Sequence, residues 1–166
     1  MLSIRRTAVV VPLALAAAGL AFALAEAPAH DPDHILVDPA QIVWKEAPAI
    51  LQRGAQIAVL KGDPGKESLF VLRLKMPDGY RISPHWHPAT ENVTVIQGVF
   101  NLGAGEQFDP ATATAMVAGA FTSMPAKMRH YAFAKGETIV QLHGVGPWQL
   151  YYVNPEDDPS RAAAKP

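Results

Sequence analysis

The sequence predicts an all-β, antiparallel protein built as a single domain, and two observations carry this prediction. The first is the frequency of Gly and Pro, with 12 and 15 copies in 166 residues, because short strands joined by turns need such residues more than helical bundles do. The second is a period-two pattern from Ser68 to Met76, with one apolar face and with Arg73 and Lys75 on the other face, as in a half-buried strand. Its apolar face consists of Phe70, Leu72, Leu74 and Met76. Repeated short strands indicate a sandwich or a barrel, and periodicity alone does not choose between them.

Composition excludes several classes of function. Hydrophobic residues make up 49% and charged residues 17% of the chain, which argues against disorder. The formal net charge is -1, so the chain lacks the basic surface that a nucleic-acid backbone requires. Cysteine is absent, which excludes disulfides, thiol catalysis and a Cys-ligated zinc site. The six histidines are therefore the soft ligands available to a metal.

The first 25 residues have the pattern of a secretory signal peptide. Arg5 and Arg6 precede an apolar, Ala-rich run from Ala8 to Ala25. The run is close to the minimum length for a membrane span and contains a proline and a glycine, which favours cleavage over an uncleaved anchor. We expect cleavage after Ala25 or Ala29 and a soluble, exported, periplasmic protein without a stable membrane anchor. The arginine pair leaves both general secretory and twin-arginine export open.

Three segments follow the signal peptide. Residues 26–40 are predicted to form a flexible arm, residues 41–153 the β-domain, and residues 154–166 a polar C-terminal tail. Residues 110–117 are predicted to form a brief helix or a loop, and residues 135–137 the turn of a hairpin. Strands are predicted over 41–44, 55–61, 68–76, 91–96, 99–102, 120–124, 130–134, 138–143 and 148–153.

Three histidines and one glutamate form the strongest chemical signal in the chain. His85 and His87 are two residues apart, so they face the same side of an extended chain. Glu91 follows four residues later, and His130 lies on another predicted strand. Three imidazoles and a carboxylate that converge inside a barrel make a site for a first-row transition metal. The alternative is four unrelated polar residues in loops.

The spacing of these residues resembles the first motif of the cupin superfamily. That motif is a glycine, five residues, His-x-His, three or four residues, a glutamate, six residues and a glycine. Gly79, His85, His87, Glu91 and Gly98 occupy every fixed position of it. The resemblance implies a small antiparallel jelly-roll barrel over most of the mature chain, with one divalent metal inside.

A second, looser cupin motif begins at Gly119, continues through Pro125 and ends at the implied ligand His130. Lys127 stands where this motif usually has a glycine, a residue that often supplies a positive φ. Ala134 stands where an asparagine is usual, and neither departure touches a ligand. The implied ligands are therefore His85, His87, Glu91 and His130, and the metal is Fe, Mn, Zn, Ni or Cu.

Two further residues are candidates for handling a substrate. Gln141 and His143 share one face of the strand that follows His130. If that face looks into the barrel, Gln141 would orient a substrate and His143 would move a proton near pH 7. The alternative is that His143 caps the rim through a backbone hydrogen bond.

Arg81 is a candidate substrate ligand of another kind. It shares the parity of His85, so its guanidinium would hold a carboxylate group of the substrate. Pro84 lies between the two residues and disturbs that parity, and the alternative is a solvated arginine.

Three histidines and one glutamate leave about two positions of an octahedron open for a ligand. We therefore favour a metalloenzyme that acts on a small, chelating, oxygen-containing substrate as a dioxygenase-type oxidoreductase, with Glu91 or His143 moving protons. A cupin isomerase and a non-catalytic protein that binds a metal or a small ligand are the alternatives. The expected partner is a small molecule rather than nucleic acid, and the sequence leaves a monomer and a homodimer open.

Overall fold

Strands dominate the computed structural model, which describes residues 34–163. The predicted signal peptide and residues 26–33 of the predicted arm lie outside the described residues. The chain divides into two units, Met1–His34 and Ile35–Pro166, and every element described below belongs to the second. Within residues 34–163, no helix has the length and apolar character needed to cross a membrane.

The described residues contain nine strands, named here in chain order. They are β1 Lys45–Glu46, β2 Gln56–Lys61, β3 Leu69–Met76, β4 Arg81–Trp86, β5 Glu91–Ala104, β6 Thr114–Val117, β7 Phe121–Met124, β8 His130–Val145 and β9 Tyr151–Tyr152. Short 3-10 turns cover Pro39–Gln41, Pro110–Thr112 and Pro155–Asp157, and a short helix, α1, covers Pro159–Ala163.

Two long strands, β5 and β8, organise the fold. They pair antiparallel from Asn92 opposite His143 to Ala104 opposite His130. The other edge of β8 carries β3 along its second half and β4 along its first half. The other edge of β5 carries β7 and then β6, while β1 and β2 extend from β3, and β9 extends from β4. The result is one antiparallel sheet that curls over itself as a jelly roll.

Glycines allow both long strands to bend at the same level. Gly98 has a φ of 76°, and the register of β5 against β8 shifts on both sides of Gln97. A side chain at Gly98 would collide with the backbone oxygen of Glu137 and lie 2.6 Å from Oγ1 of Thr138. Gly136 on β8 also has a positive φ, of 73°. The predicted hairpin around residues 135–137 is therefore wrong, because these turn-forming residues bend one continuous strand.

The core lies between the two halves of the curled sheet. Phe70, Leu72, Leu74 and Met76 are all buried, which confirms the predicted inward face of β3. On β5, Val93 and Val95 are each 1% exposed and face inward in phase with Glu91. The strand that carries the glutamate is therefore anchored by its apolar neighbours.

Three local predictions differ from the structure. Residues 41–44 are not a strand, because Asp38 caps a 3-10 turn through a 2.8 Å hydrogen bond from Ala40 N to its carboxylate, and the chain first pairs at β1. Residues 110–117 contain a 3-10 turn and then the unpredicted strand β6. The final strand is only β9, because Trp148 N donates to Pro64 O instead of joining a ladder.

Candidate metal centre

Three histidines meet where β4 lies beside the start of β8. His85 on β4 pairs with His130 at the first position of β8, and His87 follows the end of β4. The three side chains are 2–3% exposed, and one nitrogen from each lies within 4.8 Å of the others. These three buried histidines could therefore bind one metal ion.

Glu91, the first residue of β5, completes the cluster. Its Oε2 lies 3.4 Å from His87 Nε2 and 3.3 Å from His130 Nε2. Glu91 is 6% exposed, so its carboxylate is held in a site with little access to water. The structure thus brings together all four residues of the predicted ligand set, from three different strands and a loop.

Backbone carbonyls fix the orientation of each imidazole. Nδ1 of His85 lies 2.8 Å from Ser83 O, Nδ1 of His87 lies 2.8 Å from Gln149 O, and Nδ1 of His130 lies 3.1 Å from Met128 O. A carbonyl oxygen only accepts, so each Nδ1 donates, and in the neutral ring Nε2 keeps its lone pair. Carbonyl contacts of this kind orient metal-ligating histidines.

The donor set fits a divalent transition metal. His87 Nε2 is buried and has no hydrogen-bond partner in the described part of the chain. In the neutral tautomers set by the carbonyls, the Nε2 lone pairs of His87 and His130 face a carboxylate oxygen of Glu91, so acceptors meet acceptors without a donor between them. A cation resolves this arrangement, and the mixed nitrogen and oxygen ligands suit Fe, Mn, Zn, Ni or Cu.

Burial and the neighbouring groups set the protonation states of the cluster. Burial lowers the pKa of His85 well below its ordinary 6.5, and the nearby His130 and His87 lower it further, although Glu91 opposes them. Burial raises the pKa of Glu91, but the adjacent His130 and His87 rings outweigh this effect and hold the pKa below its ordinary range. A neutral imidazole and an ionised carboxylate are the forms that bind a metal.

The turn before His130 keeps the geometry that the second motif requires. Lys127, which replaces the usual glycine, has a φ of 65°. Its backbone N donates to His87 O over 2.8 Å, and Met128 N donates to Pro125 O over 3.1 Å. Met128 O is also the acceptor for His130 Nδ1, so this turn positions two ligands despite the departure from the motif.

A cavity of about 410 Å³ adjoins the cluster. Leu72 and Leu74 of β3 form one wall, and the segment 48–51 forms another. Among the described residues that line the cavity, the polar groups are the side chains of His85, His87, Glu91 and Gln149 and the indole N–H of Trp148. The volume is within the range of small-molecule sites, and the lining is mostly apolar.

The structure does not bring Gln141 and His143 to this site. The buried face of β8 carries Thr138, Val140 and Leu142, so the alternating residues 141 and 143 face the other way. Gln141 Oε1 accepts a 3.1 Å hydrogen bond from Arg73 Nε, and the His143 ring lies 6.4 Å from that of Phe121. The predicted substrate roles of Gln141 and His143 required that their face of β8 point into the barrel. In the structure that face points outward.

Arg81 also lies outside the site. It is exposed, and its guanidinium carbon lies 3.4 Å from the centroid of the Phe108 ring. The register of β4 against β8 shifts between Ile82 and His85, so Arg81 does not share the inward direction of His85. The predicted substrate contact is therefore corrected to a cation–π contact on the outer face.

Sequence reasoning missed the contribution of the segment that follows β8. The Trp148 ring stacks on His87 with centroids 4.3 Å apart, and the next residue, Gln149, supplies the carbonyl that holds His87 Nδ1. The sequence predicts only a strand here, over residues 148–153. No local pattern reveals the contact, because it joins residues about sixty positions apart through tertiary structure.

Comparison with solved structures places the fold among the cupins. The chain is similar to an RmlC-like cupin from Shewanella frigidimarina, with a TM-score of 0.51 and 15% identity over 64% of this chain and 86% of that one. It is similar to a candidate acetylacetone dioxygenase from Methylibium petroleiphilum PM1, with a TM-score of 0.60 and 20% identity over 78% and 88%. It is also similar to the polyketide cyclase RemF from Streptomyces resistomycificus, with a TM-score of 0.62 and 15% identity over 79% and 93%. The predicted jelly-roll fold of the cupin type is confirmed.

Comparison with protein families identifies a group for the chain itself. A search of curated proteins finds no match. The family model described as "Domain of unknown function (DUF4437)" matches residues 10–157, most of the 166-residue chain. The chain therefore belongs to the DUF4437 family.

Proposed function

We propose that His85, His87, His130 and Glu91 hold one divalent transition metal and that the protein is a metalloenzyme. The proposed reaction is a dioxygenase-type oxidation of a small molecule with chelating oxygen atoms. The observation that carries this proposal is the convergence of three buried imidazoles, each with Nδ1 fixed to a carbonyl, beside an ionised Glu91 and an apolar cavity. A purely structural clip would not need the adjoining cavity.

The chain's own groups have separable tasks in this proposal. The metal, when bound, supplies Lewis acidity and, if it is redox-active, access to electron transfer. The three histidines stay neutral and oriented, and the apolar walls exclude water from the substrate. Glu91 carries a carboxylate that is ionised at neutral pH and lines the cavity. It is therefore the group in the site that would accept a proton from a bound substrate.

The similar structures guide the choice of a first substrate. The resemblance in fold to a candidate acetylacetone dioxygenase supports an assay with β-diketones. The polyketide cyclase RemF has a similar fold, and one fold can host different chemistries. The assay therefore follows both oxygen consumption and the loss of the diketone.

The decisive comparison uses Glu91→Gln, which keeps the size of the side chain but removes its charge and basicity. We expect this variant to retain part of its metal and to lose turnover of acetylacetone by about 10²–10⁴-fold, the typical contribution of a general base. Glu137→Gln is the matched control, because Glu137 is exposed at the bend of β8 and should leave turnover unchanged. Wild-type turnover in a metal-loaded Glu91→Gln protein would contradict the catalytic role.

We propose separately that residues 1–25 direct export to the periplasm. Arg5 and Arg6 followed by the apolar run support this proposal. Mass spectrometry of protein from the producing bacterium should find a chain that begins after Ala25 or Ala29. Recovery of the intact chain with Met1 would contradict it.

A further inference from the structure

Among the described residues that line the cavity, no cationic side chain is available to stabilise an ionised substituent. Away from the cluster, the lining consists of aliphatic, proline and tryptophan side chains together with Gln149. Gln149 is exposed, and its side-chain oxygen already accepts from the hydroxyl of Tyr151. No lysine or arginine is among the described residues that line this space. The indole N–H of Trp148 is buried without a hydrogen-bond partner in the described chain, but it is a single neutral donor. An ionised carboxylate or phosphate placed against these walls would therefore lose its hydration without gaining a charged partner.

The cluster itself accepts one negative charge. With a divalent metal bound, three neutral imidazoles and one ligating carboxylate would give the cluster one net positive charge. A ligand whose adjacent oxygen atoms share a single negative charge, such as an enolate, would bring the site to neutrality. A charge at the opposite end of the ligand would face only uncharged walls.

We propose that the ligand of this site is a compact, apolar molecule with two neighbouring oxygen atoms at one end and no ionised group elsewhere. This inference rests on the proposed metal function and makes it more specific. It excludes free sugar acids, dicarboxylates and phosphorylated metabolites as substrates. The cavity of about 410 Å³ has room for an aromatic or short aliphatic group beyond the oxygen atoms.

Three probes with the same chelating end test this inference. Benzoylacetone is the uncharged parent, its para-carboxy derivative adds one ionised group at the far end, and the methyl ester of that derivative adds similar bulk without charge. Calorimetric titration of the metal-loaded full chain should show at least about tenfold weaker binding of the carboxylate than of the parent. The ester should bind within about threefold of the parent.

The outcomes separate this inference from the function on which it rests. Binding of the carboxylate as tight as, or tighter than, that of the parent would overturn the inference. Binding of the ester as weak as that of the carboxylate would also overturn it, because the size of the added group rather than its charge would then weaken binding. Failure of benzoylacetone to bind the metal-loaded protein would overturn it as well. Failure of the metal function would appear as a wild-type protein that takes up no metal, or as undiminished probe binding to metal-free His87→Ala protein.

Discussion

His87 and Trp148 stack nearly parallel, with ring centroids 4.3 Å apart and planes inclined by 16°. Trp148 also packs against Phe70 of the core, with ring centroids 5.8 Å apart. The stack therefore connects a proposed metal ligand to the apolar interior. Together with the bond from His87 Nδ1 to Gln149 O, it fixes the direction of His87 Nε2.

Trp148→Ala should weaken metal binding by about 10–100-fold, because loss of an outer partner frees the ligating ring. A competition titration with a chromogenic chelator measures this change. Trp86→Ala is the matched control. Trp86 lies between His85 and His87 in sequence, but its ring stacks on Tyr151, with centroids 4.5 Å apart. Equal metal affinity in wild-type and Trp148→Ala proteins would show that the stack does not hold the ligand.

Tyr152→Phe should loosen the segment that forms one wall of the cavity. The Tyr152 hydroxyl donates to Ile50 O over 2.8 Å, and the Tyr80 hydroxyl donates to Gln52 O over 2.7 Å. Burial raises the pKa of Tyr152 to about 12, so its hydroxyl remains a donor at neutral pH. Loss of this bond leaves a carbonyl without its partner and costs about 1 kcal/mol.

Hydrogen–deuterium exchange over residues 48–52 measures this loosening, and faster exchange is expected in Tyr152→Phe. Tyr131→Phe removes a similar bond, from the Tyr131 hydroxyl to Asp109 O, on the outer side of the sheet. Exchange over residues 48–52 should be unchanged in that control. If both variants exchange alike in this segment, Tyr152 does not restrain it.

The metal-free protein should lose stability as the pH falls from about 7.5 to about 5.5. The pKa of His85 is lower in the folded chain than its ordinary 6.5, so the unfolded chain takes up that proton first and unfolding becomes more favourable. The lowered pKa of Glu91 acts with the same sign at more acidic pH. Thermal unfolding in the presence of a chelator should show the decline, with a shallower slope for His85→Gln. A melting temperature that rises on acidification would contradict this assignment.

Gly98→Ala should destabilise the fold more than Gly136→Ala. Both residues have a φ near 75°, so each substitution incurs a left-handed backbone penalty of about 1–2 kcal/mol. Only at Gly98 would the new Cβ meet Glu137 O and Thr138, whereas the space beside Gly136 is open. Overpacking adds about 1–3 kcal/mol at Gly98. Denaturant unfolding that ranks the two variants equally would show that close packing at the bend is unimportant.

The sequence predicts those parts of the structure that depend on residues close together in the chain. The alternation from Phe70 to Met76 predicts one strand. The fixed spacing of His85, His87 and Glu91 predicts that three ligands come from one stretch of the chain. Gly136 shows where local reasoning fails, because a positive φ serves a hairpin turn and a bent strand equally well. Only the pairing of β8 with β5 on both sides of the bend distinguishes them.

The positions of His143 and Trp148 show a second kind of feature that the sequence alone does not predict. Alternation shows that Gln141 and His143 share a face, but which face is buried depends on the partners of β8 and on its bend. Trp148 contacts His87 because the segment after β8 passes beside the residue that follows the end of β4. Neither relationship is encoded within a window of neighbouring residues, so both required the structure.

The most direct test of the metal centre is the metal content of single histidine variants. Each protein is loaded in turn with Fe, Mn, Zn, Ni and Cu, passed through a desalting column and analysed by inductively coupled plasma mass spectrometry. The wild type should retain about one divalent ion per chain, and His85→Ala, His87→Ala and His130→Ala should each lose most of it. His143→Ala, a histidine on the outward face of β8, should retain the wild-type content. Full occupancy in the His87→Ala protein, or a wild type that retains none of the five metals, would contradict the assignment of this site.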